Sequence, residues 1–200
     1  MHAVVFDIDG TLLDSSSVDS TLYISAVEKV LGKVHIRETW SEYEHVTDSG
    51  ILAEILRDNA LPRNSDTVAT IKKAFVNSLR RHIKQHGPFK EIPGALEFVR
   101  GMSRNFAYAT GGWAASALLK LESAGFPTKG VPLSSADDSP QRCAIMENAL
   151  RQLGPCDTIT YYGDAKWDRD AALSLCWRFV PVGSALGGIT RFERGDVQRF

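Results

Sequence analysis

Cysteine is scarce in this 200-residue chain, and its three copies follow no pairing pattern. Cys143, Cys156 and Cys176 are odd in number and widely spaced, without metal-ligand spacing. That excludes a disulfide framework and a thiolate metal centre, and the three read as buried or partly buried free thiols. An excess of charge of one sign is lacking too. The 23 Lys and Arg against 24 Asp and Glu leave a net charge of −1, which excludes the broad basic footprint of a nucleic-acid or anionic-membrane binder. An anionic ligand would therefore need local positive charge. No apolar run approaches the roughly 18 residues of a membrane span. The apolar segment starting at Ala3 follows Met1 too closely to leave room for a secretory leader. No internal repeat or low-complexity segment is present. The expectation is a cytoplasmic protein with no nucleic-acid and no membrane partner. Its 44% hydrophobic and 24% charged residues are ordinary for a globular chain, long enough for one core with a smaller insert.

What the chain does have is concentrated at its start. Ala3 to Phe6 is apolar, Asp7 and Asp9 follow one residue apart, and Gly10-Thr11 turns the chain. A short apolar run closed by a glycine reads as a strand buried on both faces. Its two acids then fall at the C-terminal edge of a parallel sheet, where ligands bind. Carboxylates there can hold a hard cation, or one can attack an electrophile while the other handles protons. The plainer alternative is a strand ending in a solvated turn.

Two helix-to-loop punctuations divide the rest. Between Ser15 and Pro88 the periodicity predicts helices over 18–31, from 49 or 50 to 59, and over 65–86, with Gly32, Leu61-Pro62 and Gly87-Pro88 as stops. From Ile92 onward helix and strand alternate: helices over 94–104, 114–124, 142–153 and 169–175, strands over 106–110, 130–134, 158–162 and 177–182. That alternation implies βαβ units and a parallel sheet that the first strand must join. The helical block is thus an insertion, with residues 1–14 and 89–200 forming the core domain and 15–88 a helical domain of their own.

Two later strand ends carry chemistry. Thr110-Gly111-Gly112 offers a hydroxyl and bare backbone N–H groups suited to phosphate, or simply a capped strand-to-helix turn. Asp164 and Asp168, four residues apart across a loop entering a helix, can share a metal or serve as turn and cap residues.

Asp7-Ile8-Asp9-Gly10-Thr11 resembles the first motif of the haloacid dehalogenase superfamily, Asp-x-Asp-Gly-Thr, and the layout resembles the members with a helical cap inserted after that motif. Thr110 is similar to the family's second motif, and Gly163-Asp164 through Asp168 to its fourth, Gly-Asp-x-x-x-Asp. The resemblance implies a Rossmann-like α/β core with an inserted α-helical cap, and a Mg²⁺-dependent phosphatase acting on a small phosphorylated metabolite as monomer or homodimer. In that family Asp7 would be the nucleophile and Asp9 the general acid and base. Thr110 and Gly111 would hold phosphate. Asp7, the backbone carbonyl of Asp9, Asp164 and Asp168 would form the metal site. An acid at Asp9 separates phosphoester chemistry from dehalogenation. The third-motif lysine is absent: Ser134 to Arg142 contains none. Arg142 is the nearest substitute and Lys166 a second choice, or the role is vacant. His45 to Gly50 resembles the cap loop of phosphoglycolate-phosphatase-like members, making His45, Thr47 and Asp48 substrate candidates, with helix capping as the alternative. Arg37 and Trp40 are further cap candidates. A phosphotransferase or phosphomutase would use the same residues, and a fold-retaining regulatory module would need only the missing lysine.

Overall fold

β1 (His2–Phe6) became central because nearly every residue in it is apolar: Ala3, Val4, Val5 and Phe6 are all buried. In the computed structural model, which describes residues 1–102 and 105–193, β1 pairs in parallel with β2 (Phe106–Ala109) on one side and β4 (Thr158–Gly163) on the other. β3 (Leu133–Ser134) lies outside β2, and β5 (Arg178–Pro181) outside β4, completing a five-stranded sheet in the order β3-β2-β1-β4-β5. Val5 opposes Ala107 and Tyr161 in register, which levels the C-terminal ends of the three middle strands. Asp7, Thr110 and Asp164 emerge within one residue of those ends.

Side-chain alternation sends β1 into two cores. Val4 and Phe6 join Phe98 of α4 (Ala95–Arg100) and Ala117 and Leu121 of α5 (Ala114–Ser123). Val5 joins Ile145, Met146 and Ala149 of α6 (Arg142–Leu153) and Ala171 and Ala172 of α7 (Lys166–Ser174). Helices therefore cover both faces, as a parallel sheet requires.

Between β1 and β2 the chain leaves the sheet for α1 (Ser16–Leu31), α2 (Asp48–Asp58) and α3 (Ser65–His86). Tyr23, Ala26 and Val27, then Ile51, Leu52, Ile55 and Leu56, then Ile71, Phe75 and Leu79 are their buried stripes. Asn64 caps α3 by accepting from the Asp66 and Thr67 amides. The outgoing and returning chains are stitched together at the exit. The Asp14 amide donates to the Lys90 carbonyl (2.9 Å) and the Ile92 amide to the Leu12 carbonyl (2.8 Å).

Differences from the sequence reading are local. The expected strand 130–134 shrinks to Leu133–Ser134, because Gly130 is left-handed (φ +74°) and the Val131 amide closes a turn on Thr128. α7 starts at Lys166 rather than 169, since the Asp168 carboxylate accepts the Ala165 amide (3.1 Å) and caps the first turn. α4 stops at Arg100, where the Gly101 amide turns back to Glu97 and Phe98. Ser103 and Arg104, assigned to that helix from sequence, lie outside the described residues. Cys143 and Cys156 are half-buried, but Cys176 is exposed at a left-handed turn (φ 58°) before β5, where no helix covers it.

Candidate active site

The end of β1 runs straight into the site. Asp7 is 5% exposed. Its Oδ2 accepts from the Thr11 hydroxyl (3.2 Å), and its Oδ1 faces Arg142 Nη1 at 3.4 Å. Gly10 makes the turn in the left-handed region (φ +84°), and a Cβ there would run into the Asp164 carboxylate and crowd Ser16. Gly10→Ala is therefore expected to cost about 1–3 kcal/mol in unfolding free energy and to displace Asp164. Chemical denaturation checks the first effect and a divalent-cation titration the second.

Asp7, Asp164 and Asp168 bring carboxylate oxygens within 4.8 Å of one another. Burial raises the Asp7 carboxyl well above the usual carboxylate range, and the Asp168 charge adds to it while Arg142 opposes. Asp164 is pushed up to about 7, first by burial and then by Asp168. Burial also raises Asp168, against the pull of Arg142. Crowded, desolvated carboxylates of this kind are short of positive charge.

Arg142, the first residue of α6, provides part of it. Nη1 donates to Asp168 Oδ1 at 2.8 Å and Nη2 to the Val46 carbonyl at 3.1 Å. Burial alone would lower its pKa, but Asp168, Tyr161 and Asp7 outweigh that and hold the guanidinium charged. Its Nε is buried without a hydrogen-bond partner. Thr110, at the tip of β2, accepts from the Gly112 amide (3.0 Å). A Cβ at Gly111 would meet the Arg142 guanidinium, so only glycine lets the two approach.

Asp9 lies apart from this carboxylate group. Both its oxygens accept from Lys120 Nζ, at 2.6 and 2.7 Å, and Oδ1 also accepts from the Ser15 hydroxyl at 2.5 Å. Lys120 is fully buried and reaches Asp19 Oδ1 at 2.5 Å as well. Burial would lower its pKa, yet Asp19 and Asp9 raise it, so it stays an ammonium between two acids. The sequence reading missed Lys120. The signal was there, since Ala117, Lys120 and Leu121 share one helical face and the other two are core residues.

A model of the haloacid dehalogenase-like hydrolases matches residues 1–175. The chain belongs to this family. Similar solved structures include beta-phosphoglucomutase from Clostridium difficile (16% identity, TM-score 0.74, covering 98% of this chain and 95% of that one). A hydrolase from Pseudomonas syringae matches at 19% identity and TM-score 0.72, over 100% of this chain and 90% of that one. CbbY from Rhodobacter sphaeroides matches at 18% and 0.69, over 94% and 87%. No curated protein matches the sequence.

In this haloacid dehalogenase-like hydrolase the inserted helices are seated on the sheet edge. The Asp48 amide donates to the Gly111 carbonyl (2.7 Å), the Trp113 amide to Asp48 Oδ2 (2.9 Å), Thr47 Oγ1 to the Pro140 carbonyl (2.9 Å) and Ser49 Oγ to the Ala136 carbonyl (2.6 Å). Together they enclose a cavity of about 480 Å³ over Asp7. The expected cap loop fares unevenly. His45 is not among the residues lining the cavity; its ring lies 3.9 Å from Glu44, at the surface. Thr47 and Asp48 do line it, while the Thr47 hydroxyl and one Asp48 carboxylate oxygen serve helix capping and the contacts to the core. Arg37 is spent on Glu54 and Asp58, each at 2.7 Å. Trp40 and Lys166 line the cavity. Asp9, expected at the metal through its backbone carbonyl, has its carboxylate on Lys120.

Proposed function

We propose that this hydrolase is a Mg²⁺-dependent phosphomonoesterase working through an aspartyl-phosphate on Asp7. The observation that carries the reading is the buried Asp7–Asp164–Asp168 group with a charged Arg142 laid against it. Three oxygen donors with raised pKa suit a hard dication, so the residues present fit Mg²⁺: Asp7, Asp164 and Asp168 would hold it, with the backbone carbonyl of Asp9. Bound there, it supplies Lewis-acid neutralisation of a phosphoryl group.

The chain's own residues do the rest. An Asp7 carboxylate oxygen attacks phosphorus, the bond to the ester oxygen breaks, and Asp9 gives that oxygen a proton. Asp9 then takes a proton from the water that cleaves the acyl-phosphate, which returns Asp7 as carboxylate and releases phosphate. Arg142 and the Thr110–Gly111 turn, which line the cavity, would grip the phosphoryl oxygens. The seated cap limits the access of bulk water during the attack on phosphorus, and the second step admits the one water that cleaves the acyl-phosphate. CbbY, whose fold this chain shares, has been crystallised with phosphate, which supports a phosphate-handling role.

The test is inorganic phosphate release from a panel of phosphomonoesters, with Mg²⁺ and with chelator. Metal-dependent release is expected. Absence of release with any ester, while Mg²⁺ binds, would instead favour the fold-retaining regulatory module.

Metal binding also has a stability signature. The carboxyls titrate from 3.8 when unfolded to about 7 for Asp164 in the fold. Raised folded values mean that the metal-free protein binds more protons than the unfolded chain, so its stability is greatest below the unfolded value and falls as pH climbs from about 4 towards 7. Mg²⁺ at a hundredfold excess over its Kd adds about 2.7 kcal/mol. At pH 8 that is a rise in Tm of roughly 5–11 °C for a chain of this size. At pH 4 the carboxyls hold protons and the rise is lost. Scanning calorimetry with and without Mg²⁺ at the two pH values checks both signs.

A further inference from the structure

Building on the phosphomonoesterase reading, we infer that the alcohol leaving group of the substrate is apolar, an aryl or arylalkyl group rather than a sugar or a bisphosphate. The cavity's floor holds Asp7, Asp9, Thr110, Arg142 and Asp164, and further polar side chains, Asp19 and Asp48 among them, lie around its wall. Above the floor the cavity is lined by Tyr23, Trp40, Val46 and Ile51 from the inserted segment and by Trp167 and Leu186 from the core.

The polar atoms of Tyr23 and Trp40 are already committed within the protein. The Trp40 indole Nε1 donates to Ser20 Oγ at 3.0 Å, and the Tyr23 hydroxyl donates to the Asp48 carbonyl at 2.8 Å. Tyr23 meets Trp40 edge to face, with ring centroids 6.1 Å apart, and tilts against Trp113 at 5.5 Å. Trp113 is itself held by Phe75 and by its indole donation to Ser49 (2.9 Å). The aromatic wall is thus fixed in place before any ligand enters, and ordering it costs the ligand little.

Several polar side chains of the wall are engaged within the protein as well. Thr47 donates to Pro140, Asp48 accepts from Trp113, and Asp19 is paired with Lys120. A sugar entering this space gives up hydrogen bonds to water and finds several of these partners already engaged, which is costly. An aromatic ring gives up nothing polar and gains apolar burial and ring contacts. A second phosphate would face Asp19 and Asp48, with Lys166, exposed at the cavity mouth, as the counter-charge among the described residues.

The test compares non-hydrolysable ligands, so that it reads binding whether or not turnover occurs. With Mg²⁺ present, the affinities of benzylphosphonate and 2,3-dihydroxypropylphosphonate are measured by calorimetry on the full chain. Benzylphosphonate is expected to bind at least about tenfold tighter, and Trp40→Ala to remove most of that preference while inorganic phosphate binds as before. Equal affinities, or tighter binding of the dihydroxypropyl compound, would overturn the inference. Turnover is read separately, with benzyl phosphate and glucose 6-phosphate, both primary alkyl esters matched in leaving-group chemistry. Failure to hydrolyse either would count against the phosphatase reading and leave the binding preference standing. Faster hydrolysis of the sugar phosphate would overturn the leaving-group class.

Discussion

Asp7→Asn is expected to lower kcat for phosphate release by roughly 10⁴-fold or more while the protein becomes more stable at neutral pH. The two effects have one cause. Asp7 is buried beside Asp164 and Asp168, and its folded pKa lies well above the unfolded one. Keeping it ionised at pH 7 opposes folding, because the fold favours the proton. An amide is nearly isosteric and carries no charge, so the opposition disappears. It also cannot attack phosphorus, and no other carboxylate takes over that position: Asp164 comes from β4's end, and Asp168 is tied to Arg142, to the Tyr161 hydroxyl and to the Ala165 amide. Phosphate release and thermal unfolding measured on the same preparation give both numbers. Retained turnover with raised stability would mean that Asp7 belongs to the metal site without being the nucleophile. Lost turnover with lowered stability would mean that the variant damages the carboxylate group as a whole.

The same crowding explains what was legible in the sequence. β1 is an unbroken apolar run, so its place at the sheet centre follows from burial on two faces, and the acids behind it had to fall at the ligand-binding edge. Thr110 and Asp164 followed from the same rule applied to β2 and β4. Arg142 was harder. A lone arginine at a helix start usually faces water, and only the three-dimensional course of α6 carries its guanidinium to Asp7 and Asp168. His45, Thr47 and Asp48 were read together from one loop, but the fold separates them: His45 turns to the surface while Thr47 and Asp48 help hold the cap on the core. Spacing along a loop does not fix side-chain direction as helical periodicity does. Lys120 lies in the helix predicted over 114–124, on the same face as the core residues Ala117 and Leu121. Its partners, Asp9 and Asp19, are over a hundred residues away in sequence, so the local pattern turns Lys120 inward without naming what it pairs with.

Lys120→Met is expected to separate the chemical from the structural demands on this ion pair. Removing the ammonium leaves the half-buried Asp9 and Asp19 without their shared counter-charge, which costs about 3 kcal/mol of stability. If Lys120 also holds Asp9 at the angle from which it protonates the leaving oxygen, kcat falls by roughly 10²–10³ for alkyl phosphates, whose alkoxides need that proton. For p-nitrophenyl phosphate, whose leaving group needs none, kcat falls only a few-fold. Adding Asp19→Asn to Lys120→Met removes one of the stranded charges and is expected to restore much of the stability without restoring the alkyl-ester rate, since Asp9 stays unanchored apart from Ser15. A merely structural lysine predicts another pattern: both esters lose rate equally, and the double variant recovers rate along with stability. The choice therefore rests on a ratio of two rates in one protein, a quantity that the fraction of folded molecules cancels out of.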